Sequence, residues 1–156
     1  MALRKIVKEG DPVLARVCRP VEVFDKKLAT LVEDMKDTLA EANGAGLAAP
    51  QVGIAKRLCI VVDDDDSIMT LINPQIIETK GEQIFTEGCL SVPEMRGDVA
   101  RSREIVIEYA DIKELSERKS KQGIDFCSRQ MSEIPTVRDT VKGFTAVIFQ
   151  HEVDHL

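Results

Sequence analysis

The sequence predicts one domain in which two helical segments bracket a run of short strands. Three observations carry this. Apolar residues recur at helical spacing over 25–42, Ile- and Val-rich runs with the period of strands follow from 57 to 109, and a helical stripe returns from about residue 140 to the end.

Residues 1–24 read as extended and turn-rich, punctuated by Gly10-Asp11-Pro12 and Arg19-Pro20. Over 25–42, Leu28, Leu31, Val32, Met35 and Leu39 fall at i, i+3, i+4, i+7 and i+11, the stripe of a core-facing helix. Asp25 is its expected N-cap and Asn43-Gly44 its stop. A run of small residues, Gly44-Ala45-Gly46-Leu47-Ala48-Ala49-Pro50-Gln51, then reads as a turn. Strands are expected at 57–62, 68–72, 75–79 and 83–86, and the four aspartates at 63–66 as a solvated turn between the first two. Residues 103–109 alternate polar and apolar, as a half-buried strand does. The polar stretch 111–138, heavily charged over 113–121, reads as an exposed loop or partly helical surface insert. In the last helix Phe144, Val147, Ile148 and His151 share one stripe, with His155 one turn further on.

A chain of 156 residues with 44% apolar and 31% charged residues can bury a core of its own, so a single domain over 1–156 is expected. The longest apolar run, 58–62, is far short of the roughly 20 residues of a membrane span. Met1-Ala2-Leu3-Arg4-Lys5 lacks the apolar core of a secretory signal. A reducing compartment is therefore expected, in which the four cysteines stay free. The net charge of −6 argues against a general nucleic-acid binder, which needs a basic face.

The chain has two histidines, and both lie in Gln150-His151-Glu152-Val153-Asp154-His155-Leu156. His-Glu-x-x-His on a helix puts both imidazoles on one face, where they can share a metal ion beside Glu152. Only Leu156 follows the second histidine, so a third ligand must come from upstream and must be a cysteine or a carboxylate. Four thiols compete. Cys59 sits in the apolar 58–62 run and reads as inert, Cys18 stands beside Arg19-Pro20, and Cys127 lies in the charged insert. Cys89, in Glu87-Gly88-Cys89-Leu90-Ser91, is presented by a glycine among short strands, which suits a ligand, although a buried structural thiol would look the same. Two nitrogens and one sulfur leave a tetrahedral ion one open position, the layout of a catalytic site. Glu152 is then the expected general base for a water there. The 44–51 loop is a candidate for holding a developing oxyanion, with the Gln51 amide as donor; an ordinary turn ending in a surface glutamine is the alternative.

Three segments together resemble the peptide deformylase family. Residues 44–51 match its Gly-x-Gly-Leu-Ala-Ala-x-Gln loop, 87–91 its Glu-Gly-Cys-Leu-Ser segment, and 150–156 its Gln-His-Glu-x-Asp-His-Leu motif. The likeness extends to 10–14, to Asp34-Met35 and to 72–74. It implies an α+β fold, with short mixed or antiparallel sheets around a central His-Glu-x-x-His helix and an amphipathic helix towards the N-terminus. It implies a metallohydrolase that removes formate from the N-formylmethionine of nascent chains, with no membrane partner. Cys89, His151 and His155 would bind one divalent ion per chain, Fe²⁺ as the usual native metal and Zn²⁺, Ni²⁺ or Co²⁺ able to replace it. Glu152 would be the base, and Gln51 and the Leu90 N–H would hold the formyl oxygen. Gly44 and Gly46 would offer backbone contacts to the peptide. Phe144, Val147, Ile148 and His151 would form the methionine pocket, with Arg96 at its rim, and Glu87 and Arg101 a structural ion pair.

Two features depart from that pattern. The family continues past His-Leu, often with a tail through which the ribosome would be a partner; here the chain ends abruptly at Leu156, and the last turn, which carries His155, is expected to fray. Residues 90–150 separate Cys89 from His151, a longer stretch than is usual, which points to the 111–138 insert. These departures leave an alternative: a weakly active or inactive fold of this kind that serves as a binding module. The likeness begins near Ile6, leaving no room for a transit peptide, so the setting expected is a bacterial cytoplasm, or an organelle after processing.

Overall fold

The computed structural model describes residues 3–112 and 129–156. It is an α+β fold with two helices and small antiparallel sheets among the described residues. Helix α1 spans Lys26–Ala42. The Asp25 side chain accepts from the Leu28 N–H at 2.9 Å, and Asn43, in the left-handed region at φ 53°, ends the helix. Both termini thus lie where local side-chain chemistry sets them.

Gly46–Ala48 (β2), Leu58–Val62 (β3) and Ile68–Ile72 (β4) form one antiparallel sheet in the order β2-β3-β4. The uninterrupted apolar sequence of β3 follows from its being covered on both faces. Leu58 and Ile60 join the core formed with Leu28, Met35 and Leu39 of α1. Cys59 and Val61 join a second core with Ala146 and Phe149 of the last helix. Contrary to the expectation of a turn, residues 46–48 are strand: Leu47 pairs with Ile60 and is fully buried.

A second sheet has the order β10-β8-β5, built from Gln75–Lys80 (β5), Glu104–Ala110 (β8) and Thr136–Lys142 (β10). Residues 136–138 of the expected insert and 140–142 of the expected helix therefore belong to a strand, in which Val137 and Val141 pack on the second core. The rest of the insert, with Cys127 and the charged run 113–121, lies outside the described residues apart from its two margins: residues 111–112, and residues 129–135, which include a two-residue strand, Arg129–Gln130 (β9), paired with Val23–Phe24 (β1).

Gln83–Cys89 (β6) and Val92–Arg101 (β7) form a two-stranded hairpin; β6 is longer than the expected 83–86 strand, and its partner β7 is not expected from sequence. Its register shifts between Gly88 and Cys89, so the ladder is broken at the cysteine. All these ladders are antiparallel; the parallel contact is an isolated bridge, Arg19 to Lys56.

Helix α2, Gly143–Asp154, follows β10 without a loop, through Gly143 at φ 64°. It packs on β2, β3, β8 and β10. Its first turn has no N-cap side chain, but Thr145 donates to Asp64 of the aspartate turn, which brings an acid to this end. Its last turn, where fraying is expected, has contacts from outside the helix. The Cys18 N–H donates to the Leu156 carbonyl at 3.2 Å, and Asp154 pairs with Arg101.

Candidate metal centre and peptide cleft

Cys89 Sγ lies 3.5 Å from His155 Nε2, which lies 3.3 Å from His151 Nε2. The three ligand atoms are within 4.8 Å of one another. Cys18 and Cys59 are buried, at 3% and 0% exposure, and the Cys18 thiol faces the His155 backbone carbonyl at 3.9 Å; of the described thiols only Cys89 lies with the two imidazoles. Burial pushes the Cys89 thiol up, but hydrogen bonds with His151 and His155 and with the Ser91 backbone N–H outweigh it and bring it down to about 5. It is a thiolate at neutral pH, the form that binds metal.

Behind the histidines stands a carboxylate. His151 Nδ1 donates to Glu87 Oε1 at 2.9 Å, which turns Nε2 towards Cys89 and His155. Arg101 grips Glu87 with two bonds, at 3.0 and 3.1 Å. Burial raises the Glu87 carboxyl, but Arg101 and His151 hold it below its ordinary value. Arg101 also reaches Asp154, so one guanidinium ties strand β6 to the helix turn that carries His155. The sequence offered no signal for Asp154 beyond its place in the motif.

Glu152 is 4% exposed, and its Oε2 has no hydrogen-bond partner. Burial pushes its carboxyl up to about 7, although His155 and His151 pull the other way. A Cβ on Gly46 would lie 2.6 Å from Glu152 Cγ, so only glycine leaves the carboxylate its place. A buried acid with an orphaned oxygen, next to one thiolate and two imidazoles, suits a divalent cation with a water beside it.

Gln51 is buried and fixed rather than on the surface. Its Oε1 accepts from the Ala48 N–H at 2.9 Å, and its Nε2 donates to Ser91 Oγ at 3.2 Å and faces Cys89 Sγ at 3.4 Å. A cleft of about 380 Å³ opens onto the cluster. Gly44, Gly46, Leu90, Arg96, Phe144, Val147 and Ile148 line it together with Cys89, His151 and Glu152. Asn43, Ala45, Thr86 and Gly88 also line it and are not among the site residues expected from sequence; their neighbours in the two glycine-containing segments are the available signal.

The sequence model of the polypeptide deformylase family matches residues 3–156. The chain belongs to the polypeptide deformylase family. The peptide deformylase of Acetivibrio thermocellus is 42% identical over 158 aligned positions, covering 100% of this chain and 79% of that protein. The crystal structure of peptide deformylase from Thermotoga maritima superposes with a TM-score of 0.83 at 33% identity, covering 100% and 92% of the two chains. The Met-Ala-Ser-bound class I type b peptide deformylase of Acinetobacter baumannii gives 0.80 at 31% identity, covering 99% and 93%. In this family the activity is metal-dependent, and none of the described helices is long and apolar enough to cross a membrane.

Proposed function

We propose that this chain is a single-domain metallohydrolase that removes the formyl group from N-formylmethionyl peptides of nascent chains. The observation that carries the reading is the cluster of Cys89, His151 and His155 against the buried, orphaned Glu152 carboxylate. Family membership and the Met-Ala-Ser-bound relative support the substrate class.

Cys89, His151 and His155 would hold the ion from one side of the cleft. The cation would supply Lewis acidity to the attacking water and to the formyl carbonyl. Glu152 takes a proton from the water as its oxygen bonds to the formyl carbon. It returns that proton to the methionine nitrogen as the C–N bond breaks, and formate leaves. Burial disfavours a permanent charge on this carboxyl, which suits a group that takes a proton and gives it back. The Gln51 amide and the Leu90 N–H donate to the formyl oxygen as its charge grows. Phe144, Val147 and Ile148 take the methionine side chain, Arg96 stands at the rim, and Gly44 and Gly46 let the peptide backbone come close. In this reading α2 is the central helix that delivers base and histidines, and α1 an amphipathic helix bracing the sheet behind them.

Fe²⁺ is the ion proposed as native, with Zn²⁺, Ni²⁺ or Co²⁺ as substitutes, since an N₂S set accepts all four. The location proposed is the cytoplasm, where formylated chains emerge. No described feature favours an inactive binding module. The test is anaerobic purification, elemental analysis and formate release from formyl-Met-Ala-Ser. We expect about one divalent ion per chain and formate release that chelation abolishes. Metal-loaded protein that releases no formate would overturn the reading.

A further inference from the structure

Three consecutive residues near the start of the chain reach three backbone carbonyls of the site. The Val7 N–H donates to the Gln51 carbonyl at 2.7 Å, and the Glu9 N–H to the Ser91 carbonyl at 3.0 Å. Between them the Lys8 ammonium donates to the Leu90 carbonyl at 3.0 Å. The segments so joined belong to different sheets. Gln51 follows β2, whereas Leu90 and Ser91 form the turn between β6 and β7. Upstream, the Arg4 guanidinium pairs with Asp34 of α1 at 3.0 Å, and the Arg4 N–H donates to Thr38 at 2.9 Å, which anchors the strap.

The Leu90–Ser91 turn concentrates groups the reaction needs. Leu90 carries one N–H assigned above to the formyl oxygen. Ser91 Oγ accepts from the Gln51 amide, whose Nε2 also faces the Cys89 sulfur at 3.4 Å. The Leu90 carbonyl and the Ser91 N–H are the two ends of one peptide unit. A cation at the carbonyl end strengthens the donor at the other, because hydrogen bonds in series polarise one another. The Lys8 ammonium therefore acts on the site through the backbone of the turn.

We propose that Lys8 is a positioning residue: through the Leu90 carbonyl it fixes the turn that aligns the backbone donors of the site, and residues 7–9 are a strap that sets the distance from Gln51 to that turn. The proposal rests on the deformylase reading, with Gln51 and Leu90 as donors to the formyl oxygen.

The test compares Lys8→Met, Lys8→Arg and Gln51→Leu in the metal-loaded full chain. Lys8 is exposed, so its effect is modest. Lys8→Met should lower kcat about three- to tenfold, the scale of one ordinary solvent-exposed hydrogen bond. KM, bound metal and Tm should stay as in the parent, and Lys8→Arg should restore kcat. In the Co²⁺-loaded protein Lys8→Met should also shift the sulfur-to-cobalt absorption band, since the turn that directly follows Cys89 is then less firmly held. Parental kcat and band in Lys8→Met would overturn the proposal, as would equal losses in the Met and Arg variants or a loss that tracks a lowered Tm. Gln51→Leu separates the two ideas. A loss in kcat of roughly 10²- to 10³-fold there, beside an inert Lys8→Met, rejects the strap alone. An unaffected kcat in Gln51→Leu rejects the oxyanion assignment and the strap with it.

Discussion

Helices α1 and α2 are held in opposite ways. The ends of α1 are set by its own flanking residues, Asp25 and Asn43, and it buries mainly a Leu, Val and Met face, with Asp34 and Thr38, both met by Arg4, as its polar exceptions. α2 has no capping side chain at its start, and it buries Thr145, Gln150 and Glu152. Apart from the Glu152 carboxylate, whose Oε2 is orphaned, the polar side chains named here are answered from elsewhere in the chain. Asp64 meets Thr145, Glu87 meets His151, and Arg101 meets Asp154. The Gln150 side chain takes both polar groups of Ser102, accepting from its N–H at 3.0 Å and donating to its carbonyl at 2.9 Å. A helix that works as scaffold can be self-contained. A helix that presents reactive groups inward gives up apolar contacts, and the surrounding segments must hold it.

Four substitutions put this contrast to the test. Cys89→Ala should have the largest effect: elemental analysis should find the metal lost, and formate release should fall to background. Stoichiometric metal in that variant would reject Cys89 as a ligand. Glu152→Gln should keep the metal yet lose roughly 10²- to 10⁴-fold in rate, because an amide cannot take the proton. A near-parental rate with metal bound would show that another group moves it. Gln150→Ala leaves the Ser102 N–H without its partner and should cost about 1–3 kcal/mol by denaturant unfolding, with a drop in activity as α2 loosens. Asp25→Ala should cost about 1 kcal/mol and leave kcat unchanged. A kcat loss there would show that α1 is not only scaffold.

The same contrast explains what could be read from the sequence. α1 was legible to the residue at its stop, because its period and caps are local. β3, β4 and β5 were legible as Ile- and Val-rich runs. β2 was not, since Gly46-Leu47-Ala48 has the composition of a turn and becomes strand by pairing with β3. β7 contains Pro93 and Gly97 and lacks a steady alternation, so its identity comes from its partner β6. β10 does alternate, with Val137 and Val141 inward, but Arg138 and Asp139 made it look continuous with the charged stretch before it. At the site, the histidine spacing and the Gly-Cys pair named the groups that the fold brings together. The grip of Arg101 on Asp154 and of Gln150 on Ser102 joins segments about 50 residues apart, and no local pattern encodes such a contact.

The direct passage from β10 into α2 has a consequence for how this chain can change length. The strand is locked in register against β8 from Thr136–Ala110 to Lys142–Glu104, and the helix begins at the next residue. An α-helix turns about 100° per residue. One residue inserted or deleted at that junction would swing His151 and His155 by that angle, away from Cys89, with no loop to absorb the error. In the 63–67 turn the same change would meet exposed backbone, at the expense of the Asp64 contact with Thr145 but with no shift in the phase of α2. Insertions and deletions should therefore be tolerated at that turn and eliminated at the 142–143 junction, which acts as a phase lock between the sheet and the reactive face of the helix.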